Sequence, residues 1–415
     1  MEAHLSSSVQ DGLLESLNFR PPGNSAGYVL ESRKVKFFAE SSDTFSVNSR
    51  VIRFRLVDQG FWEPGSSKVT FTLFNKDSSN ALAPVTWSPL AMFSRIRVFM
   101  SGIQIENWDY VGESAVMMDR LKGAARRLND SVEGHILTAG GYADTCQAIP
   151  ASGARTVQFS IPCGVTSMSK WVPLSLVSGG LVIEMELGDA GQAFDVSSYA
   201  ANWEIKDVSL MCNIHTIDSS LSNSYAKHIL SGNSINFHTK SMVTTKHLVT
   251  NSSFTIPIVR GYSRLCQVYL TMHKTGEKAI LQTFHPVNNQ SLTTANDNCT
   301  LQLSVGSRRF PERPMASVAE HWLRLREAAG VFYGESDLAI TPADFVNRKA
   351  IFGFDLEKVG HEGASHSGIS TKNGDILTIS VQNSGLGSGG SDYVLVHLVF
   401  ENLFALRDGS VDVYD

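Results

Sequence analysis

The sequence predicts an all-β protein built from two tandem antiparallel sandwiches, and three observations predict it. Short runs alternate apolar and polar residues, as in VIRFRLV and KVTFTLF, with the period of two expected of strands buried on one face. The chain passes through this texture twice. The phrase RLKGAA at 120–125 returns as RLREAA at 324–329, and its neighbours keep the same offset, Gly102 falling on Gly306 and Met118 on Trp322.

Residues 1–27 hold a small apolar cluster (Leu13, Leu14, Leu17, Phe19) and then RPPGNSAG, whose prolines and glycines stop a helix, so the stretch reads as an N-terminal arm. A first unit, 28–217, follows as KVKFF, SRVIRFRLV, KVTFTLF, SRIRVFM, a helix, TVQFSIP, GLVIEMEL and WEIKDVSLMCNIHTI. The Ser/Asn-rich DSSLSNSY opens a linker at 218–228. A second unit with a C-terminal tail, 229–415, runs SINFHTK, SSFTIPIV, SRLCQVYLTM, CTLQLSV, a helix, AIFGFDL, DILTISVQ and YVLVHLVFENLFAL. Many short strands separated by turn signals indicate a sandwich or barrel, here one per unit.

In each copy a strand, a glycine turn and a short strand lead into the helix, expected near 112–128 and 316–329. Met118, Leu121 and Ala125 match Trp322, Leu325 and Ala329 as one apolar face at helical spacing, and both central leucines are expected in the core. Two ordinary packed helices would carry the same stripe. The strand-poor stretches 126–156, 273–299 and 330–349 are expected on the surface, at one end of each sandwich.

Composition narrows the function. At 415 residues, two units of near-equal size fit a prior of ~100–200 residues per domain. A net charge of −5 leaves no broad basic footprint for sequence-specific nucleic-acid binding. Charged residues make up 18%, against roughly 25% in ordinary soluble domains, so much of the surface is Ser, Thr, Asn and Gly or is covered by partners. The five cysteines show no CxxC or Cys/His metal spacing and read as free thiols of a reducing compartment. No apolar run approaches ~18 residues and the N-terminus lacks a basic start, so neither a membrane span nor a standard secretion signal is expected.

No catalytic constellation survives inspection. SMSK (167–170), SGN (231–233) and KTG (274–276) stand in the order of the SxxK, SxN and KTG elements of acyl-transfer enzymes, but Ser167 and Lys170 need a helix that the flanking Gly164 and Pro173 oppose. His361 and His366 flank Glu362 at a spacing of five rather than four, in a Gly/Ser stretch, which is wrong for a zinc helix. Nucleotide-binding loops and EF-hand loops are absent, and no cofactor is expected. Lys122, Arg126 and Arg127 form a basic edge on the first helix, with Arg308 and Arg309 at the equivalent turn of the second unit; solvated charge is the expectation for both.

Three features then carry a resemblance. FSRIRVFMSGIQIE (93–106) is a strand, glycine turn and strand before a helix, SDYVLVHLVFENLFALRDGSVDVYD (391–415) is a last strand and tail, and the order of elements spans roughly 28–415. On these the chain resembles the double jelly-roll major capsid proteins of tailless icosahedral double-stranded DNA viruses, the lineage of polinton-like viruses, virophages, adenoviruses and large algal viruses. It has Ser101-Gly102 where many relatives have Asn-Gly, and no very large outer insertions. The resemblance implies two eight-stranded jelly rolls, each with a helix between its sixth and seventh strands. It also implies homotrimers of pseudo-hexagonal outline, contacts with neighbouring capsomers, penton and minor capsid proteins, an internal membrane in some members, and a place in the virion. The competing reading is a carbohydrate- or receptor-binding fibre or spike, in which Trp108 or Trp171 would stack on sugars.

Overall fold

The chain alternates between two facing sheets, and it does so twice in the same order. The computed structural model describes residues 27–40, 42–195, 202–274, 283, 299–331, 337–358, 367–372, 375–387 and 391–414. The arm, apart from residue 27, and the cluster His361, Glu362 and His366 lie outside the described residues.

The first ten strands are β1 (Val29–Phe38), β2 (Thr44–Phe45), β3 (Val51–Leu56), β4 (Phe61–Asn75), β5 (Phe93–Met100), β6 (Ile103–Asp109), β7 (Ala154–Phe159), β8 (Val172–Pro173), β9 (Leu181–Leu187) and β10 (Trp203–Ile217). One sheet has the order β1-β10-β4-β7, with β2 on β10 and β8 on β4; the facing sheet is β3-β9-β5-β6. All these pairings are antiparallel. Inserted helices are α1 (Val111–Arg120), α2 (Ala124–Asp130) and the four-residue α3 (Gly164–Ser167).

After α4 (Ser219–Leu230) come β11 (Ile235–Leu248), β12 (Phe254–Ile258), β13 (Leu265–His273), β14 (Thr300–Val305), β15 (Arg308–Met315), α5 (Val318–Ala328), α6 (Pro342–Asn347), β16 (Phe352–Asp355), β17 (Leu377–Gln382), β18 (Tyr393–Arg407) and β19 (Ser410–Tyr414). The sheets are β11-β18-β13-β16, with β19 on β18, and β12-β17-β14-β15. Numbering only the strands of the four-strand paths one to eight, both units read 1-8-3-6 over 2-7-4-5, the jelly-roll order. In that numbering the α1/α2 segment, between β6 and β7, and α5 with α6, between β15 and β16, both fall between the fifth and sixth strands, one interval earlier than expected.

Alternation makes the cores. Ile52, Phe54 and Leu56 of β3 are fully buried while the alternating Val51, Arg53 and Arg55 are exposed. The hairpin before each helix turns on a glycine, but at different positions. Ser101 (φ 52°) and Gly102 (φ 78°) both adopt the left-handed conformation of a two-residue turn, with Gly102 second, whereas Gly306 (φ 58°) comes first, directly after Val305. The hairpins therefore superpose one residue away from the offset that aligns Gly102 with Gly306.

The helices depart from expectation more clearly. A single helix over 112–128 is replaced by α1 and α2, because the backbone N–H of Ala339 donates to the carbonyls of Arg120 (3.0 Å) and Lys122 (2.8 Å), and Gly123 is extended (ψ 145°). Leu325 is fully buried, but Leu121 is half-buried at the break, Met118 is 39% exposed and Ala125 is exposed. Trp322 and Ala329 are half-buried, the indole standing edge-on to Phe345 at 5.0 Å between ring centres. The reading of α1 as an ordinary one-faced helix fails for a physical reason: the helix is buried almost all round, with Ser114, Asp119 and Arg120 enclosed as well as its apolar residues. The stretch read as a linker is the helix α4, its first turn capped by Asp218, whose Oδ1 accepts from Ser220 N at 2.6 Å. Nor is 330–349 a surface loop in its described part, since Leu338, Ala339, Ile340 and Phe345 are buried.

Leu325→Ala is expected to cost ~2–5 kcal/mol in urea unfolding, and Leu121→Ala clearly less because its site is open to solvent on one side. Equal losses would mean that the two leucines occupy equivalent sites after all.

Candidate assembly site: the seam between the jelly rolls

The two units share a core. The apolar cluster that fills the first sandwich continues without a break into residues of the second: Phe237, Met242, Tyr269, Leu325, Ala328, Phe345, Phe404 and Leu406. A second cluster, around Val268, Leu301, Ile379 and Val396, belongs to the second sandwich alone. The sandwiches are therefore welded along one side, and the seam is the feature that turns two jelly rolls into a single plate.

The contact is heterologous, pairing different surfaces of the two units. From the first come β6, α1 and α3; from the second come β11 and β18, with β19 at the rim. Such a joint covers polar strand faces, so their groups need partners across it. Ser114 Oγ on α1 lies 2.9 Å from Thr244 Oγ1 and 3.2 Å from His397 Nδ1, and Thr244 Oγ1 is 2.9 Å from the same nitrogen. On the far side of the ring, Thr271 Oγ1 stands 3.4 Å from His397 Nε2. Lower down, Ser241 Oγ donates to Glu106 Oε1 at 2.7 Å, and Asn402 Nδ2 donates to the Ile105 carbonyl at 3.2 Å.

At the α1 end the seam is ionic. Arg127 is fully buried between the carboxylates of Asp119 and Asp144, and its Nη1 also donates to the carbonyls of Gly141 (2.9 Å) and Ala143 (2.7 Å). Arg120, 1% exposed, reaches Asp144 at 3.5 Å. From the second unit Lys349 extends its ammonium to Asp144 (3.3 Å), to Asp344 (3.4 Å) and to the Tyr142 carbonyl (2.6 Å). Burial works to raise the Asp144 carboxyl, and the cations Arg120, Arg127 and Lys349 override it and hold it below its ordinary value. Burial pushes His397 down to about 3, reinforced by neighbouring His273, so the imidazole is neutral in the folded chain.

This geometry corrects the sequence reading in several places. Arg127, expected on a solvated basic edge, is the centre of the buried network, while Arg126 is exposed; Arg308 and Arg309 are exposed. Trp108 is 3% exposed and presents no platform to a sugar, and Trp171 is stacked on His215 at 3.9 Å. Ser167 ends α3, its hydroxyl donating to the Cys163 carbonyl at 2.8 Å, and Lys170 lies beyond the helix, so the pair forms no nucleophile and base. All five cysteines are free, four of them buried. No grouping of side chains suited to a metal ion occurs among the described residues, nor does any helix long and apolar enough to cross a membrane.

Solved structures with this architecture exist. A PBCV-1 protein fitted into a reconstruction of the virophage Sputnik matches with a TM-score of 0.68 at 8% identity, over 95% of this chain and 98% of that one. The Faustovirus major capsid protein matches at 0.61 and 9%, over 96% and 93%, and a chain of the Sputnik virophage particle at 0.59 and 11%, over 98% and 92%. The chain has the double jelly-roll fold of viral major capsid proteins. No family model and no curated protein matches the sequence. Of the repeat positions, Leu121, Trp322, Leu325 and Ala329 belong to or pack against the shared core, Gly102 and Gly306 lie in the hairpin turns, and Met118 and Ala125 are exposed. Beside the shared apolar core, polar residues of α1 and β6 also bind unit to unit, and an apolar-stripe search passes over them.

Arg127→Met is expected to cost ~3–5 kcal/mol by removing the close partner of buried Asp119 and one of the three cations on Asp144, whereas Arg126→Met stays within about 0.5 kcal/mol; chemical denaturation of both variants checks this. Acid adds a second expectation. Because His397 titrates near 3 folded and near 6.5 unfolded, the unfolded chain binds more protons between those values, so its contribution is full above pH 6.5 and is lost as pH falls towards 3. His397→Asn should flatten that part of the stability profile; an unchanged slope would place the acid sensitivity elsewhere.

Proposed function

We propose that the chain is a major capsid protein that forms homotrimeric capsomers of pseudo-hexagonal outline and tiles an icosahedral double-stranded DNA virus shell. The fold shared with capsid proteins supports this reading, but the observation that carries it is the seam. Within one chain, the β6/α1 side of the first jelly roll grips the outer face of the β11-β18-β13-β16 sheet. By the repeat, the β15/α5 side of the second jelly roll and the outer face of the β1-β10-β4-β7 sheet are the corresponding surfaces. Within the protomer β15 and β1 stand open, while α5 packs through Leu325 and Ala328 into the shared core: Arg308, Arg309, Glu312, Arg313 and Pro314 of β15 are exposed, as are Leu30, Lys34, Lys36 and Phe38 of β1.

A heterologous contact repeated from chain to chain either closes a ring or runs on as a filament. Three chains carrying six similar sandwiches close a six-sided ring, an outline that covers a surface without gaps. Phe38 is 69% exposed and Leu30 66%, which is costly in an isolated protomer and natural under a neighbour. In this reading the protein acts by covering area, not by catalysis, and resides in the virion. Its partners are other copies, neighbouring capsomers and the penton and minor capsid proteins, with a membrane beneath the shell in some such particles. A sugar-binding fibre or spike is disfavoured by the burial of Trp108.

Light scattering of the purified protein should give three times the 45.3 kDa chain mass, and electron microscopy should show six-sided rings. Phe38→Asp should weaken the trimer while leaving protomer melting within about a degree or two, since an exposed side chain contributes little to the fold. A protein that stays monomeric at high concentration sinks the reading.

A further inference from the structure

Glu106 is more than a hydrogen-bond partner of Ser241 in the seam. It is 6% exposed, stands on β6, and ties three elements together. Ser241 Oγ of β11 donates to one carboxyl oxygen at 2.7 Å, and Val165 N at the start of α3 approaches the other at 3.4 Å, with the Gly164 N–H and the Cys163 thiol beside them. The fit is tight. A Cβ on Gly164 would lie 2.5 Å from Glu106 Oε1 and 2.6 Å from the Lys240 carbonyl, so only glycine lets α3, β6 and β11 meet there. Beside the carboxyl opens a cavity of about 170 Å³ with Arg260, Asn402 and Asn107 on its walls.

We propose that Glu106 is a proton-operated latch between the two jelly rolls, which holds the seam closed when its carboxyl is protonated and loosens it when the carboxylate is bare. The inference concerns the protomer and stands whether or not three chains assemble. Its physical basis is the scarcity of countercharge. Of the groups facing Glu106, the Cys163 thiol carries no positive charge, and the ammonium of Lys240 on β11 is engaged by Glu357 at 2.6 Å. Glu401 on β18 pairs with Arg264 at 3.5 Å, Asp412 on β19 pairs with Arg407 at 4.0 Å, and Arg260 lies over the rings of Tyr262 and Phe400. The donors around Glu106 are neutral, so they solvate a carboxylate only in part. Burial accordingly raises the carboxyl from 4.5 to about 7, against the pull of Ser241, Val165, Gly164 and Cys163.

The sign follows. The folded chain holds this proton more tightly than the unfolded chain, so the contribution is full below pH 4.5 and is lost as pH rises through about 7. Complete ionisation shifts the closed-to-open ratio on the order of 10²-fold.

Full-length protein and its Glu106→Gln variant are melted across a pH series from about 4 to 8, which spans the unfolded and the folded titration. The melting temperature of the parent should fall across the series relative to Glu106→Gln, and amide hydrogen exchange in β6 and β11, corrected for intrinsic rates, should accelerate only in the parent. Parallel melting profiles, or exchange that is equally pH-dependent in both, overturn the proposal. Should Glu106→Gln fail to fold, Ser241→Ala serves: removal of a donor to the carboxylate should move the midpoint of the parent's fall to higher pH, and an unmoved midpoint overturns the proposal equally.

Discussion

When two β-sandwiches lie side by side, the outer face of a sheet is taken out of water, and that face carries the polar half of an alternating pattern. Every buried hydroxyl, imidazole and carboxyl at the joint then needs a partner, or it costs the structure a desolvation of about 1–3 kcal/mol. This chain meets much of the constraint with α1, although Thr239 Oγ1 and Asn402 Oδ1 have no hydrogen-bond partner among the described residues. Placed between β6 and β7, the helix reaches across and sets Ser114 against Thr244 and His397, while Asp119, Arg120 and the following Arg127 build an ionic cluster that Lys349 closes from the other unit. The shared apolar core follows from the same placement.

Buried ion pairs add little net stability, since the cost of removing the charges from water takes back most of their attraction. What they add here is register. Lys349 of the second unit is held by Asp144 and the Tyr142 carbonyl of the first, and Ser114 of the first meets Thr244 and His397 of the second, an arrangement that a slide of one residue would destroy, whereas apolar residues such as Met242 and Leu325 tolerate small shifts. On the proposed reading, a plate that matches its neighbours edge to edge needs its two halves at a fixed relative position. The seam supplies that through its polar contacts, and cohesion through its apolar ones.

The strands were legible in the sequence because alternation is local: VIRFRLV and KVTFTLF read correctly as β3 and part of β4, and two passages of the same texture correspond to two sheets apiece in the same order. The helix in each copy was legible too, but not its surroundings. Leu325 has the buried site its stripe suggests, while Met118 and Ala125 do not, since α1 is broken at Leu121 by a backbone donor, Ala339, from more than 200 residues away. Periodicity cannot report a partner so distant in sequence. For the same reason Arg127 looked like solvated charge, and the linker looked unstructured although Asp218 is a ready N-cap for α4. Asp followed by a Ser-rich run ending in YAKHIL was an available signal there.

Two buried groups of opposite type occupy this one seam, and their electrostatics oppose each other across the pH scale. His397 and Glu106 are each favoured in the neutral form because the joint excludes water and offers mainly uncharged partners. For the imidazole, neutrality is lost by gaining a proton, so acid strains the seam; for the carboxyl it is lost by giving one up, so alkali does. The joint is therefore most secure in the mildly acid range, where both groups are neutral. That window arises from burying polar side chains between two sandwiches without countercharges, and a seam of purely apolar residues would not have it.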